Sequence, residues 1–173
     1  FVDEESEGID ADIFIIGENA AVDHIRNLRA IISEYLESAY QYSREDADTL
    51  ATFITVYNAV YRKDLENFNS KYKTSVSSNL TSEDAGLSTD YADWPGNTQI
   101  VIPLTGRAAG SLSAIDTSII SDQQVVDNIR EDSDMGVDIR TDMADLKDRE
   151  ADEAFENAKK AAESAAEAEK DVK

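Results

Sequence analysis

Residues Ser43–Tyr72 read SREDADTLATFITVYNAVYRKDLENFNSKY, and this stretch decides the fold. Ser43 is a good helix N-cap. Glu45 and Asp46 stand behind it, close to a capping box and facing the positive end of a helix dipole. Apolar residues then fall at Ala47, Leu50, Ile54, Tyr57, Tyr61, Leu65, Phe68 and Tyr72, in steps of three and four. That spacing stacks side chains on one face of an α-helix. Phe53 and Val60 widen the stripe, while Asp48, Thr52, Thr55 and Arg62 fall on the opposite, wetter face. Many of these residues are β-branched or aromatic and are mediocre helix formers. The stretch therefore predicts a long core helix with a polar back, held by packing rather than propensity. Lys63-Asp64 marks a point where it can break.

Toward the N-terminus, Ile13-Phe14-Ile15-Ile16 is an unbroken apolar run between Asp12 and Gly17. It is short and β-rich, which predicts a buried strand. A helix is expected next, from about Ala20 to Tyr42, with Asn19 as candidate N-cap. Its apolar face is Val22, Ile25, Leu28, Ile32, Tyr35, Leu36 and Ala39. No Gly or Pro lies between Gly17 and Gly86, so the two helices should pack as an antiparallel hairpin across a tight turn.

Toward the C-terminus, Val76–Asn97 is rich in Ser, Thr, Asn, Asp and Gly and reads as a long connection. Trp94, the only tryptophan, precedes Pro95-Gly96 and is expected to roof the hairpin. Thr98–Leu104, TQIVIPL, reads as a second strand, with Pro103 at an edge or an end because it cannot donate to a ladder. Two strands are too few for a stable sheet. A further strand is expected near Leu112–Ile120, or else upstream of this stretch of chain. Thr105–Ser113 is a linker candidate, and Ile115, Ile119, Ile120, Val125, Val126 and Ile129 can dock a short helix on the core.

From Ile139 onward the chain is charged and helix-forming. Ala151, Ala154, Ala158, Ala161, Ala165 and Ala168 recur at heptad spacing, a seam of small residues. Alanine buries little area, so these few heptads alone do not make a stable coiled coil. Pairs such as Glu156–Lys160 and Glu169–Lys173 support a solvated helix, the start of a stalk. The fold class expected is α+β and mainly helical: an antiparallel helix hairpin packed on a small sheet, followed by an acidic helical stalk. The division expected is a flexible acidic segment over 1–10, a head over 11–112 and an acidic helical extension over 113–173.

The composition excludes several functions. The chain has 173 residues, with 37 Asp+Glu against 16 Lys+Arg and a net charge of -21. That argues against nucleic acid and against an anionic membrane surface. Residues 1–18 hold seven acids and no bases, residues 19–113 twelve acids and eight bases, and residues 114–173 eighteen acids and eight bases. A balanced middle between acidic ends is the pattern of one folded module with charged flanks. There is no cysteine, hence no disulfide, thiolate chemistry or Cys-ligated zinc. No apolar run is long enough to span a membrane. The first residues, FVDEESEGID, resemble mid-chain sequence rather than a signal peptide, as in a piece of a longer protein.

Little chemistry is written in the residues. His24 is the only histidine, at the edge of the first helix's apolar face, and reads as a partly buried structural residue. Gly17-Glu18-Asn19 lies between strand and helix, where phosphates can bind, yet it lacks a Gly-rich fingerprint and Glu18 would repel phosphate. Asp132, Asp134 and Asp138 flank Gly136 and resemble a calcium loop. The EF-hand pattern fails there, because Gly comes one residue early and position twelve is Met143. Those three aspartates remain candidates for weak cation binding. Tyr91 and Trp94 are the candidates for stacking a peptide or glycan from a long loop. No catalytic residue and no cofactor is expected.

Three segments carry a resemblance: Ala11–Leu36 (ADIFIIGENAAVDHIRNLRAIISEYL), Phe53–Phe68 (FITVYNAVYRKDLENF) and Glu83–Leu104 (EDAGLSTDYADWPGNTQIVIPL). They resemble the spirochaete eighty-three/hundred-kilodalton antigen family of Borrelia and Treponema type. Relatives of Ile54–Arg62, Ala85–Ser88, Trp94–Gly96 and Thr98–Leu104 occur there in the same order. The resemblance spans about Asp12 to Leu104. It implies an exported protein of the periplasm or cell envelope with a long charged helical region, and it supplies no catalytic residues. The function expected is a non-enzymatic structural or protein-interaction module. Partners would be a protein or a second copy through the C-terminal helix, with no nucleic acid and no direct membrane insertion.

Overall fold

The computed structural model describes residues 8–22, 24–106, 113–131 and 136–172. Ser43 does cap a helix: its Oγ accepts the Asp46 N–H at 3.2 Å, opening α2 (Arg44–Val60). The helix before it, α1, spans Ile25–Tyr40. Arg29 Nε donates to Thr55 Oγ1 at 2.9 Å and Ser33 Oγ to Asp48 Oδ1 at 2.6 Å. As α1 advances, its partner on α2 retreats, so the two helices run antiparallel. Gln41, in the left-handed region at φ 62, closes α1 by donating its N–H to Glu37 and Leu36 carbonyls.

Helix α1 starts later than the sequence predicts. Asn19 lies in a turn, where Ala20 N–H donates to Gly17 C=O at 3.1 Å. The cap is His24, which is exposed rather than partly buried. Its Nδ1 accepts Arg26 N–H at 3.0 Å. The predicted polar back of α2 holds only in part. Asp48 is exposed and Thr52 and Arg62 are half-buried, but Thr55 is buried, as is Asn58, because α2 is surrounded on several sides by other elements. Its buried polar residues are spent on neighbours rather than on water.

Helix α2 ends at Val60, and a separate helix α3 covers Leu65–Lys71. The break is built at Lys63-Asp64. Lys63 sits at φ 66 with its N–H on Ala85 C=O at 2.8 Å, and Asp64 caps α3 by accepting Asn67 N–H at 3.1 Å. A single turn, α4 (Thr74–Ser77), follows.

Strands β1 (Asp10–Ile16) and β2 (Thr98–Leu104) pair antiparallel, in register from Asp10 against Leu104 to Ile16 against Thr98. Strand β1 begins three residues earlier than the apolar run predicts. Ile9 is tied to α3's end through Ile9 N–H to Lys71 C=O at 3.0 Å and Lys73 N–H to Ile9 C=O at 2.9 Å. The rest of the segment expected to be loose, residues 1–7, lies outside the described residues. The extra strand predicted near Leu112–Ile120 is instead one bridge, Leu104 against Ile115, followed by the short helix α5 (Thr117–Ile120). Leu112 and most of the expected linker lie outside the described residues.

Two strands suffice because the outer row of β2 is covered. Gln99 pairs with Asp84 and Gly86, Val101 with the Asn58 side chain, and Pro103 C=O with Asp116 N–H. Pro103 costs nothing there, since its missing donor would lie on that outer row. Every residue of β2 from Thr98 to Pro103 is buried.

The core is one cluster, and it extends past residue 113. Ile115, Ile120, Val125, Ile129, Met143 and Leu146 are buried with Leu28, Ile32, Leu36, Phe53, Ile54 and Tyr57. Of the first six, Ile115 sits in the bridge just before α5 and the others come from α5, α6 (Gln123–Glu131) and α7 (Gly136–Val172). Tyr42 joins that region to the hairpin, its hydroxyl accepting Ile115 N–H at 2.9 Å. Helix α7 packs on α2 and α6 only over its first turns. From Ala151 its side chains are mostly exposed, Phe155 among them. At about 1.5 Å per residue the helix reaches roughly 55 Å in all.

Candidate functional site

The segment Ser88–Thr98 is held by its own polar side chains. Asp90 Oδ1 accepts Ala92 N–H at 3.0 Å and caps a 3-10 turn at Tyr91–Asp93. Ser88 Oγ donates to Asp93 Oδ2 at 3.1 Å and accepts Asp90 N–H at 3.1 Å. Gly96, at φ 74, lets the chain reverse and give its N–H to Ile16 C=O at 3.1 Å. Thr98 Oγ1 then donates to Trp94 C=O at 2.8 Å.

Trp94 is 1% exposed, and its Nε1 donates to Ser88 C=O at 2.8 Å. It roofs the hairpin, as the sequence predicts. Tyr91 lies over it at 4.9 Å between centroids, edge to face, and is 39% exposed. The His24 ring stands 5.5 Å from Tyr91. Beside Tyr91 and Trp94 a shallow cleft of about 180 Å³ is lined by Ile25, Thr55, Ala59, Leu87, Tyr91 and Trp94 among others. Of the two candidate stacking residues, then, Tyr91 presents a ring to solvent and Trp94 forms the floor. Such a cleft can take a small apolar or planar group.

The aspartates proposed for cation binding are not brought together by anything described. Asp132 and Asp134 lie outside the described residues. Asp138 falls in the first turn of α7, and its side chain lies outside the description. Among the described residues, no group of three or more metal-ligating side chains is placed to hold an ion.

Several polar centres escape a reading of spacing. Asn58, fully buried, donates to Ile54 C=O at 2.8 Å and Val101 C=O at 3.0 Å, and accepts Val101 N–H at 2.8 Å. Asp12 Oδ2 takes the hydroxyls of both Tyr35 and Tyr40. Burial raises both phenols above their ordinary value, and the Asp12 charge raises them further. Tyr61 donates to Asp122, Lys71 Nζ lies 5.0 Å from the Tyr61 ring, and Tyr57 and Tyr72 share a 2.9 Å bond between hydroxyls. Asp46, close to a capping-box position, turns instead to α7, where Arg149 holds it. Arg62 Nη1 donates to Asp84 and Gly86 carbonyls at 2.7 and 3.1 Å, fastening the loop before β2. These contacts cross up to 103 residues of sequence. The one local trace is the run of tyrosines on the helices, whose hydroxyls need partners once buried.

Fold and site together define a class: a mainly helical α+β head, pinned by buried polar bridges, that carries a long acidic helix. The model of the Borrelia P83/100 protein family matches residues 1–173, the whole chain, and the chain belongs to that family. The match takes in both acidic ends, beyond the Asp12–Leu104 span that the motifs carried. Membership sets the chain among spirochaete antigens. No curated protein and no solved structure matches the chain. Among the described residues, no helix is long and apolar enough to cross a membrane.

Proposed function

We propose that the chain is a non-enzymatic interaction module of a spirochaete envelope antigen, located in the periplasm or on the envelope. The observation that carries this reading is α7. Its first turns bury Met143 and Leu146 in the head, and the helix runs on to Val172, with side chains mostly exposed from Ala151 to Ala168. The stripe Ala154, Ala158, Ala161, Ala165 faces solvent for most of its length, with Phe155 exposed beside it. Helices of this kind gain stability by laying the small-residue stripe against a second helix. The head thus anchors a rod whose stripe meets a protein partner or a second copy. Sedimentation velocity of the full chain and of a chain ending at Ala154 tests it. The shorter chain should have a distinctly lower frictional ratio and an unchanged melting temperature. Two equally compact monomers would remove the rod.

The exposed Tyr91 ring supports a second reading, capture of a peptide or glycan at the cleft it shares with Ile25 and Leu87. Trp94 emission reports on that cleft from its floor. A saturable change on titration with envelope peptides or oligosaccharides supports this reading. A flat response across the panel sinks it.

A further inference from the structure

The ladder pattern of the sheet leaves one row of backbone groups unused. On β2, the groups of Gln99, Val101 and Pro103 point away from β1, since they bond to Asp84, Gly86, Asn58 and Asp116. The alternation of an antiparallel pair then turns Thr98, Ile100, Ile102 and Leu104 toward β1. Their register partners are Ile16, Phe14, Asp12 and Asp10. The intervening residues of β1 therefore direct their N–H and C=O groups outward. Ile9 obeys this, because its outward groups are the ones bonded to Lys71 and Lys73. Beyond it the Ala11 N–H is taken by the Asp10 side chain at 3.0 Å. Among the described residues nothing pairs with the Ala11 C=O or with either group of Ile13 and Ile15.

Edge strands that resist pairing carry charged side chains, lysine above all, proline or a bulge, or are covered by another element. Of the charges on β1, Asp12 is spent on Tyr35 and Tyr40 and Asp10 stands at the covered end. Strand β1, DADIFII, has no lysine and no proline. Its cover stops at Ile9. Ile15, 66% exposed, adds an apolar side chain to the open end. Asp12, Phe14 and Ile16 alternate with it, and Asp12 and Phe14 are engaged by Tyr35 and Tyr40 of α1. The edge is thus held straight from behind while its hydrogen-bonding row faces out.

The charge selects the occupant. Exposed Asp10 and Glu18 lie at either end of β1, and the chain carries a net charge of -21. A second copy would bring the same charge against a free edge only five residues long, Ala11–Ile15. An extended basic segment complements it. We propose that the Ala11–Ile15 edge of β1 binds an extended, lysine- or arginine-bearing segment of another protein as a third strand. Ile13 and Ile15 supply the backbone bonds, and Ile15 packs against an apolar residue at every second position of the guest. This rests on the reading of the chain as an interaction module. Its readout is confined to β1, so it can fail while α7 proves to be a rod, and the reverse.

The test uses the full chain, labelled for amide detection, and an acetylated octapeptide alternating lysine and valine. Saturable binding should slow hydrogen exchange at the Ile13 and Ile15 amides and leave the Val101 amide unchanged. The same peptide N-methylated at the residues facing β1 should give no protection, and neither should an octapeptide alternating glutamate and valine. Ile13→Pro removes one outward donor without touching the ladder to β2, and it should abolish the effect. Amides of Ile13 and Ile15 already protected in the free chain would overturn the proposal. So would binding of the N-methylated peptide with equal affinity. Protection that grows with protein concentration alone would assign the edge to a second copy and overturn it as well.

Discussion

Arg149 on α7 holds Asp46 on α2 with both arms of its guanidinium, Nη2 at 2.6 Å from Oδ1 and Nη1 at 3.2 Å from Oδ2. Asp46 is 3% exposed, while the Arg149 side chain is about half exposed. The arginine is therefore what makes a buried carboxylate tolerable, and it fixes where α7 leaves the head. Arg149→Ala should cost about 2 kcal/mol, the scale of a lost bond to a charged group moderated by solvent at the guanidinium. Arg149→Lys keeps the charge but not the two-armed geometry and should recover less than half. Urea unfolding of both, in a cycle with Asp46→Asn, measures the coupling. Additive effects of the two substitutions would mean that the pair contributes nothing.

Asn58 acts as a short surrogate strand on the outer edge of β2, since its side chain satisfies both backbone groups of Val101. Asn58→Ala strands those two groups in a dry core. Each orphaned group costs about 1–3 kcal/mol, so a loss of about 3 kcal/mol or more is expected. Val101 amide exchange should rise by a larger factor than exchange in α1. Unfolding midpoints and site-resolved exchange check this together. A loss of under about 1 kcal/mol would show that water replaces the side chain.

Gly86 lies against the same residue. A Cβ there would sit 2.6 Å from the Asn58 carbonyl oxygen and 2.8 Å from Arg62 Cα, on a backbone at φ 90. The three nearest atoms it meets are all backbone, which cannot swing aside. Gly86→Ala should therefore cost about 3 kcal/mol or more, combining the left-handed conformation with the overlap. Gly17 meets nothing within 4 Å, and Gly17→Ala should change stability by less than about 0.5 kcal/mol. Thermal melts of the two variants side by side are enough. Equal melting temperatures would refute the close approach.

These residues also mark how far the sequence could be read. The hairpin, the existence of both strands and the Ser43 cap were legible because each rests on local periodicity or on a cap within a few residues. Strand β1 is not the buried strand expected: only Ile16 is buried and Ile15 is 66% exposed, since β1 is an edge. The Trp94 roof was legible because an indole in a polar loop needs somewhere to bury. The start of α1 was missed because an imidazole, outside the usual capping set, does the work while Asn19 closes a turn. The polar back of α2 was misjudged in part because periodicity does not say how many neighbours a helix has. Asn58 and Asp46 gave no local signal, since their partners lie 43 and 103 residues away. Of the candidate site, the burial of Trp94 in the Tyr91–Trp94 loop was legible, and the exposure of the Tyr91 ring above it was not. The free row of β1 needed the register, which depends on which β2 groups other segments occupy.

The pH response of the head should come from Glu150, one residue beyond Arg149. Its Oε2 accepts the Thr117 hydroxyl at 3.1 Å, while Oε1 is buried without a hydrogen-bond partner. Burial, reinforced by Asp116 and Glu153 and only partly offset by the Thr117 bond and Lys147, pushes the carboxyl up to about 7. The folded value thus lies above the ordinary one of 4.5, so folding favours the protonated form. Its stabilising contribution is fully present below about pH 4.5 and is lost as pH rises toward about 7, the reverse of a carboxylate held by a cation. Above that range an ionised group presses on the junction between α5 and α7. Glu150→Gln fills the same space and carries no charge at any pH. The stability of the variant relative to the native chain should therefore rise between about pH 4.5 and about pH 7 and level off above that. Other titrating groups cancel in that difference. Urea unfolding of both chains across the window decides it, and parallel profiles would place the carboxylate in water rather than at the junction of α7 with α5.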